Sequence, residues 1–140
     1  MAQQFQITSA VLSDKGRKRD NNEDYALFFE PGDNSVKAKS GNLYIVADGV
    51  GGEARGEFAS RFSAEKVLYE YYAREKESPA ERLHQGMELA NKEIQDYTRN
   101  TQSAKMATTL VAAVVLGDKL TIANIGDSRA YLYHNGQLEQ

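Results

Sequence analysis

A chain of 140 residues suits a single domain, and a domain of that size buries roughly 70% of its unfolded surface. Charged residues make up 26%, hydrophobic residues 41% and the formal net charge is −3. That balance fits an ordinary globular chain and supplies no basic field for nucleic acid. The sequence holds no cysteine and two histidines, His84 and His134, which excludes disulfides, thiolate zinc and a cysteine nucleophile.

With two distant histidines, a histidine metal centre or a Ser-His-Asp triad lacks its parts, and chemistry is left to carboxylates, arginine and backbone. No apolar run approaches the roughly 18 residues of a transmembrane helix. Met1-Ala2-Gln3-Gln4-Phe5 shows neither a charged leader nor an apolar core. The expected location is therefore the cytoplasm, with no membrane partner.

Phe5 to Leu12 alternates, with Phe5, Ile7 and Val11 on one face, and predicts a first strand. SDKGRKRDNNED, residues 13–24, reads as a charged loop and YALFFE as a second strand. PGDNSVKAKSG, residues 31–41, reads as a polar turn region, and NLYIVAD as a third strand. Two helices are expected after the glycines that follow. Phe58, Phe62, Val67, Leu68, Tyr71 and Tyr72 cover a broad arc of the first, over about 56–75. Ser78-Pro79-Ala80-Glu81 offers the second an N-cap serine, a proline at the first helical position and a capping-box glutamate. Leu83, Met87, Ala90, Ile94 and Tyr97 then recur at spacings of 4, 3, 4 and 3, a core-facing stripe.

TRNTQSAKM is expected to be a loop and TTLVAAVVL a strand buried on both faces. Gly117-Asp118 fits a two-residue hairpin turn into KLTIANIG, SRAYLYH alternates, and Asn135-Gly136 marks a further turn. The return strand after it, Gln137 to Gln140, is so short that the hairpin reads as unfinished. Consecutive helices and hairpin-linked strands argue for an α+β domain with antiparallel sheets.

Asp48 ends the third strand on a bare carboxylate, immediately before Gly49-Val50-Gly51-Gly52. Gly49 to Ala54 satisfies the dinucleotide pattern G-x-G-x-x-G/A. Asp48 and Glu53 nevertheless put negative charge where a pyrophosphate would sit, and a helix follows where a second strand should. No Lys-Ser or Lys-Thr follows for a P-loop. A tight strand-to-helix turn accounts for the glycines and leaves Asp48 unexplained, since a carboxylate at the end of a buried strand must be solvated, paired or bound to a cation. A second acidic cluster, Arg19-Asp20-Asn21-Asn22-Glu23-Asp24, reads either as a solvated loop end or as part of an oxygen shell for a hard cation. Consecutive strand residues would send Glu23 and Asp24 to opposite faces. An arginine nearby would grip phosphate with its planar fork.

SDKGRKRDNNED, YIVADGVGG, ATTLVAAVV and IANIGDSRAYLY stand in one order and spacing. In this the chain resembles the metal-dependent protein serine/threonine phosphatases of type 2C, bacterial branch, from about Ile7 to Gln140. The resemblance implies a layered α-β-β-α sandwich of antiparallel sheets with helices outside, truncated here after the first half, so that residues 1–140 form the N-terminal portion of one domain. It implies hydrolysis of phosphoserine and phosphothreonine with two Mn²⁺ or Mg²⁺ ions. Asp48 would bridge the metals, Gly49 would coordinate through its carbonyl, Glu23 and Asp24 would hold metal waters, and Arg19 would bind the substrate phosphate. Partners would be a phosphoprotein substrate and a cognate Ser/Thr kinase or its targets.

By the same resemblance Asp127, Ser128 and Arg129 form a mainly structural GDSR turn, and Thr108 and Thr109 belong to a strand motif. Ala107 stands where that motif usually has glycine. The family's later DH, DG and DN segments, whose aspartates complete the metal shell, have no counterpart in this sequence. The rival expectation is a catalytically incomplete interaction or regulatory module, self-associating through open sheet edges.

Overall fold

The computed structural model describes residues 6–52, 54–102 and 104–140. β1 (Asp24–Phe29) is followed by α1 (Asn34–Ser40), β2 (Asn42–Val50), α2 (Ala54–Ala73) and α3 (Pro79–Asn100). The strands β3 (Ala107–Thr108), β4 (Leu110–Leu116), β5 (Lys119–Ile125), β6 (Leu132–His134) and β7 (Gln137–Glu139) complete the order. The main sheet runs β1-β2-β4-β5, with β3 also paired to β2, and β6-β7 form a separate hairpin. Every pairing is antiparallel.

Alternation along β2 sets the layers. Leu43, Ile45 and Ala47 are buried under the helices, while Tyr44 is half-buried and Val46 exposed on the opposite face. The buried face joins Leu110, Ala112 and Val114 of β4 to Ala64, Val67 and Tyr71 of α2 and to Leu83, Met87 and Ala90 of α3. The expected α+β architecture is therefore present as one antiparallel sheet with a helix layer on one side. The other side is open, and Phe28, Val46, Leu120 and Ile122 are exposed on it.

The helix that the sequence marks most strongly forms as expected. Ser78 Oγ accepts from the Glu81 amide at 3.3 Å and the Glu81 carboxylate accepts from the Ser78 amide at 2.9 Å, a closed capping box. Of its stripe, Leu83, Met87, Ala90 and Ile94 are buried and Tyr97 is exposed. Tyr97 packs instead on the Phe58 ring, 5.1 Å between centroids. The helix layer is also fastened to the α1–β2 junction. Arg82, 2% exposed, donates to Ser40 Oγ, Glu75 O and Glu77 O and lies over the Tyr71 ring. The Tyr71 hydroxyl donates to Ser40 O at 2.7 Å.

Four sequence expectations are corrected. Residues 6–12 form no strand, and Phe5 lies outside the described residues. Leu12 is 95% exposed; alternation alone makes no strand where no ladder partner receives it. The turn region 31–41 contains α1, because the Asp33 carboxylate accepts from the Ser35 and Val36 amides and Gly41 closes the helix C-terminus. TTLVAAVVL is split between β3 and β4; Ala113 and Val115 are only half-buried because their sheet face is open, while Leu116 packs half-buried against the helix-side core. SRAYLYH contributes only Leu132–His134, and the return strand after Asn135-Gly136 closes a three-residue pairing.

Candidate metal-binding site

The sheet builds the site as a row. Asp24 faces Asp48 across the β1–β2 register. The ladders from β2 to β3 and to β4 keep one register, which sets Thr109 opposite Asp48. The β4–β5 register, which pairs Leu110 with Ile125, carries the row on to Gly126. Because Ala47 is buried under the helices, Asp48 projects to the open face, as Asp24 does next to buried-face Tyr25.

Electrostatics in the row are unfavourable to charge. Partial burial pushes the Asp48 carboxyl above its ordinary value, and the charge and hydrogen bond of Asp24 push it further. The Arg19 guanidinium draws it back down, and the Asp127 carboxylate raises it again. Arg19 and Asp127, distant in sequence, are thus within electrostatic reach of Asp48. Three acids against one arginine leave negative charge uncompensated around the partly buried Asp48.

Glu23 lies on the other side. A methyl group on Gly56 would sit 2.6 Å from the Glu23 carboxyl carbon, so that side chain packs against the first turn of α2. Its main chain ties the strand ends together: Glu23 O accepts from the Gly49 amide at 3.0 Å and from Ser60 Oγ at 2.6 Å. Gly49 occupies a position no side chain could share, since an added Cβ would meet Gly56 O at 2.0 Å. The structure therefore sets Asp24 opposite Asp48, with Arg19 and Asp127 within electrostatic reach, and turns the Glu23 side chain toward the first turn of α2.

Asp48 is held through its main chain. Thr109 N donates to Asp48 O at 2.9 Å, Thr108 Oγ1 donates to the same carbonyl at 3.0 Å, and the Asp48 amide donates to Thr109 Oγ1 at 3.2 Å. The family resemblance gives the GDSR turn as mainly structural and Thr108 and Thr109 as members of a strand motif. Their contact with Asp48 was detectable only as a register, because Thr109 lies 61 residues away along the chain.

The donors suit a hard divalent cation: carboxylate oxygens, uncompensated charge, no thiolate or imidazole. Their number is a pair, and among the described residues no three of histidine, cysteine, aspartate or glutamate are grouped to hold a metal. A cavity of about 970 Å³ lies on the helix side, walled by Met87, Ile94, Met106, Leu110 and Ile125. It reaches the row only through Val50 and Thr108 and has no part in it.

The layered sheet, the Asp48-Gly49 corner and the threonine clamp belong together in one class of protein. The family described as Protein phosphatase 2C matches residues 17–140, and the chain belongs to that family. It is 36% identical over 133 residues to the serine/threonine phosphatase stp of Listeria monocytogenes serotype 4b, covering 91% of this chain and 50% of that protein. Among solved structures, Staphylococcus aureus serine/threonine phosphatase Stp1 superposes with a TM-score of 0.74 at 30% identity, over 92% of this chain and 50% of that one. The catalytic domain of the serine/threonine phosphatase PstP, solved in complex with 2 manganese ions, gives a TM-score of 0.70 at 30% identity over 90% and 50%. The chain spans about half the length of the Listeria relative.

Proposed function

We propose that this chain carries the Asp48 side of a Mn²⁺- or Mg²⁺-dependent protein serine/threonine phosphatase site. The observation that supports it is the row itself: Asp24 opposite Asp48, with the Asp48 carboxyl held above its ordinary value and Arg19 acting on it. A bound divalent ion would supply a water acidified to near neutral pH and charge neutralisation on the phosphoryl oxygens. Asp48 would hold the ions, with the Gly49 carbonyl beside it and Asp24 holding their waters. Glu23, turned toward the first turn of α2, would act on those waters indirectly. Arg19, within electrostatic reach of Asp48, would orient the phosphate by a bidentate contact.

Substrates would be phosphorylated serine and threonine side chains of proteins, delivered by the action of a Ser/Thr kinase. No helix among the described residues is long and apolar enough to cross a membrane. A cytoplasmic location belongs to the proposal and is tested by fractionating cells that carry the tagged protein. The open sheet face and the free edge of β5 support self-association, to be read by sedimentation; a monomer at all concentrations would refute that part.

The decisive experiment is hydrolysis of p-nitrophenyl phosphate by this chain with Mn²⁺ and with EDTA, beside Asp48→Ala and Arg19→Ala. Metal-dependent turnover lost in Asp48→Ala, with a raised KM in Arg19→Ala, is expected. Turnover unaffected by EDTA, or a folded chain without turnover, would overturn catalysis at this site.

A further inference from the structure

Hydrogen bonds connect the GDSR turn to the Asp48 main chain through the Thr109 side chain. Thr109 Oγ1 accepts from the Asp48 amide and shares a second hydrogen bond with Ser128 Oγ. Gly126 leaves the Thr109 methyl its space: a Cβ added there would lie 2.7 Å from Thr109 Cγ2, and Gly126 adopts a φ of +100°. Ser128 is itself fixed by Asn124 Nδ2, which donates to Ser128 O at 2.7 Å. Asp127, next to Ser128, acts electrostatically on the Asp48 carboxyl. Among the described residues, the hydrogen bonds that link the turn to the Asp48 main chain thus converge on the Thr109 hydroxyl.

We propose that Thr109 and Ser128 are positioning residues for the Asp48 carboxylate. The turn fixes the Ser128 hydroxyl, Ser128 fixes the Thr109 rotamer, and Thr109 fixes the Asp48 peptide and with it the direction of its side chain. A purely structural turn would need no such convergence; Thr109 could then be any β-branched residue of the same volume. The inference rests on the phosphatase reading only for what the oriented carboxylate binds. Partners that orient ligand side chains in this way are worth about 10- to 100-fold in metal affinity.

The test uses the ¹⁵N-labelled chain with Thr109→Val, Thr109→Ser, Ser128→Ala and the double variant. It reads the shift and hydrogen exchange of the Asp48 amide without metal, and Mn²⁺ affinity by calorimetry. Thr109→Val should speed Asp48 amide exchange and raise the Mn²⁺ Kd about 10-fold. Ser128→Ala should move the same amide and raise Kd in the same direction, and should do nothing further in the Thr109→Val background. Thr109→Ser, which keeps the hydroxyl, should restore both readouts. A lower Tm in Ser128→Ala with the Asp48 amide unmoved would overturn the proposal, as would additive effects of the two substitutions. Should Thr109→Val fail to fold, Ser128→Ala in the exposed turn decides alone through the amide. If the parent chain shows no Asp48-dependent Mn²⁺ binding, the phosphatase reading fails, while the metal-free amide arm still accepts or rejects the positioning role.

Discussion

Replacing Asp48 by asparagine should stabilise the metal-free chain and destroy its response to metal. Asparagine keeps the size and acceptor oxygen of aspartate and removes its charge. The gain has two sources in the row. Asp24 stands directly opposite Asp48, and like charges so placed cost about 0.2–1 kcal/mol. Partial burial adds a penalty of the same sign. With unfolding entropy near 2.1 cal/mol/K per residue, about 1 kcal/mol moves the midpoint of a chain this long by about 3 °C.

Mn²⁺ at a hundred times its Kd should raise the parent by about 2.7 kcal/mol, and Asp48→Asn by nothing. The two melting curves therefore exchange order between EDTA and Mn²⁺. Acid should erase the difference in EDTA. An acid whose folded pKa is raised favours the folded state at low pH and loses that contribution as pH rises through the raised value. The advantage of Asp48→Asn at pH 7 should accordingly shrink as pH falls toward the ordinary carboxylate value of 3.8. Circular-dichroism melts over pH 4 to 8 decide it (about one unit apart suffices to resolve a carboxylate titration). A variant that melts below the parent in EDTA at neutral pH, with a native spectrum, refutes the claim that this charge is frustrated.

Other substitutions separate scaffold from site. Gly49→Ala should abolish folding or cost more than about 3 kcal/mol by denaturant titration, because its Cβ meets backbone at Gly56 O; Gly56→Ala meets only the movable Glu23 carboxyl and should cost about 1 kcal/mol. Ser78→Ala opens the α3 capping box and should lose about 1 kcal/mol with unchanged Mn²⁺ affinity in calorimetry. Arg82→Met should cost about 3 kcal/mol or more in urea, since the charged guanidinium bonds to Ser40, Glu75 and Glu77 vanish together and leave the buried Ser40 hydroxyl and two part-buried carbonyls without their donor.

What was legible in the sequence is what is decided locally. The α3 helix carries its cap, its proline and its stripe within one segment, and all three act as local chemistry demands. The α1 helix was missed although Asp33 and Gly41 bracket it, because seven mostly polar residues give periodicity too little length to register. Residues 6–12 show the opposite error, a strand pattern whose realisation depends on an edge elsewhere. Asp48 was legible because a carboxylate closing an apolar strand is costly wherever the chain goes. That Glu23 and Asp24 part to opposite faces follows from consecutive strand positions; which of them shares the face of Asp48 was not legible, since it turns on the register of β1 against β2. The link of Thr109 and Ser128 to Asp48 was not legible for the same reason as the bonds of Arg82: their partners are fixed by register and packing, and neither is written in neighbouring residues.

The open face ties the site to whatever covers the sheet. Phe28, Val46, Leu120 and Ile122 expose apolar surface on the face that carries the carboxylate row, and burial of such surface is favourable at about 25 cal/mol per Å². Any cover that removes Val46 from water also removes water from Asp48, two residues along the same strand face. The charge then costs more and a cation gains more, because attraction between opposite charges strengthens as the dielectric falls. Cover and cation therefore favour each other without a conformational change in this chain. Metal affinity measured on the open sheet sets a lower bound for the same carboxylates under a cover, and a cover that weakened it would contradict the electrostatic basis of the site.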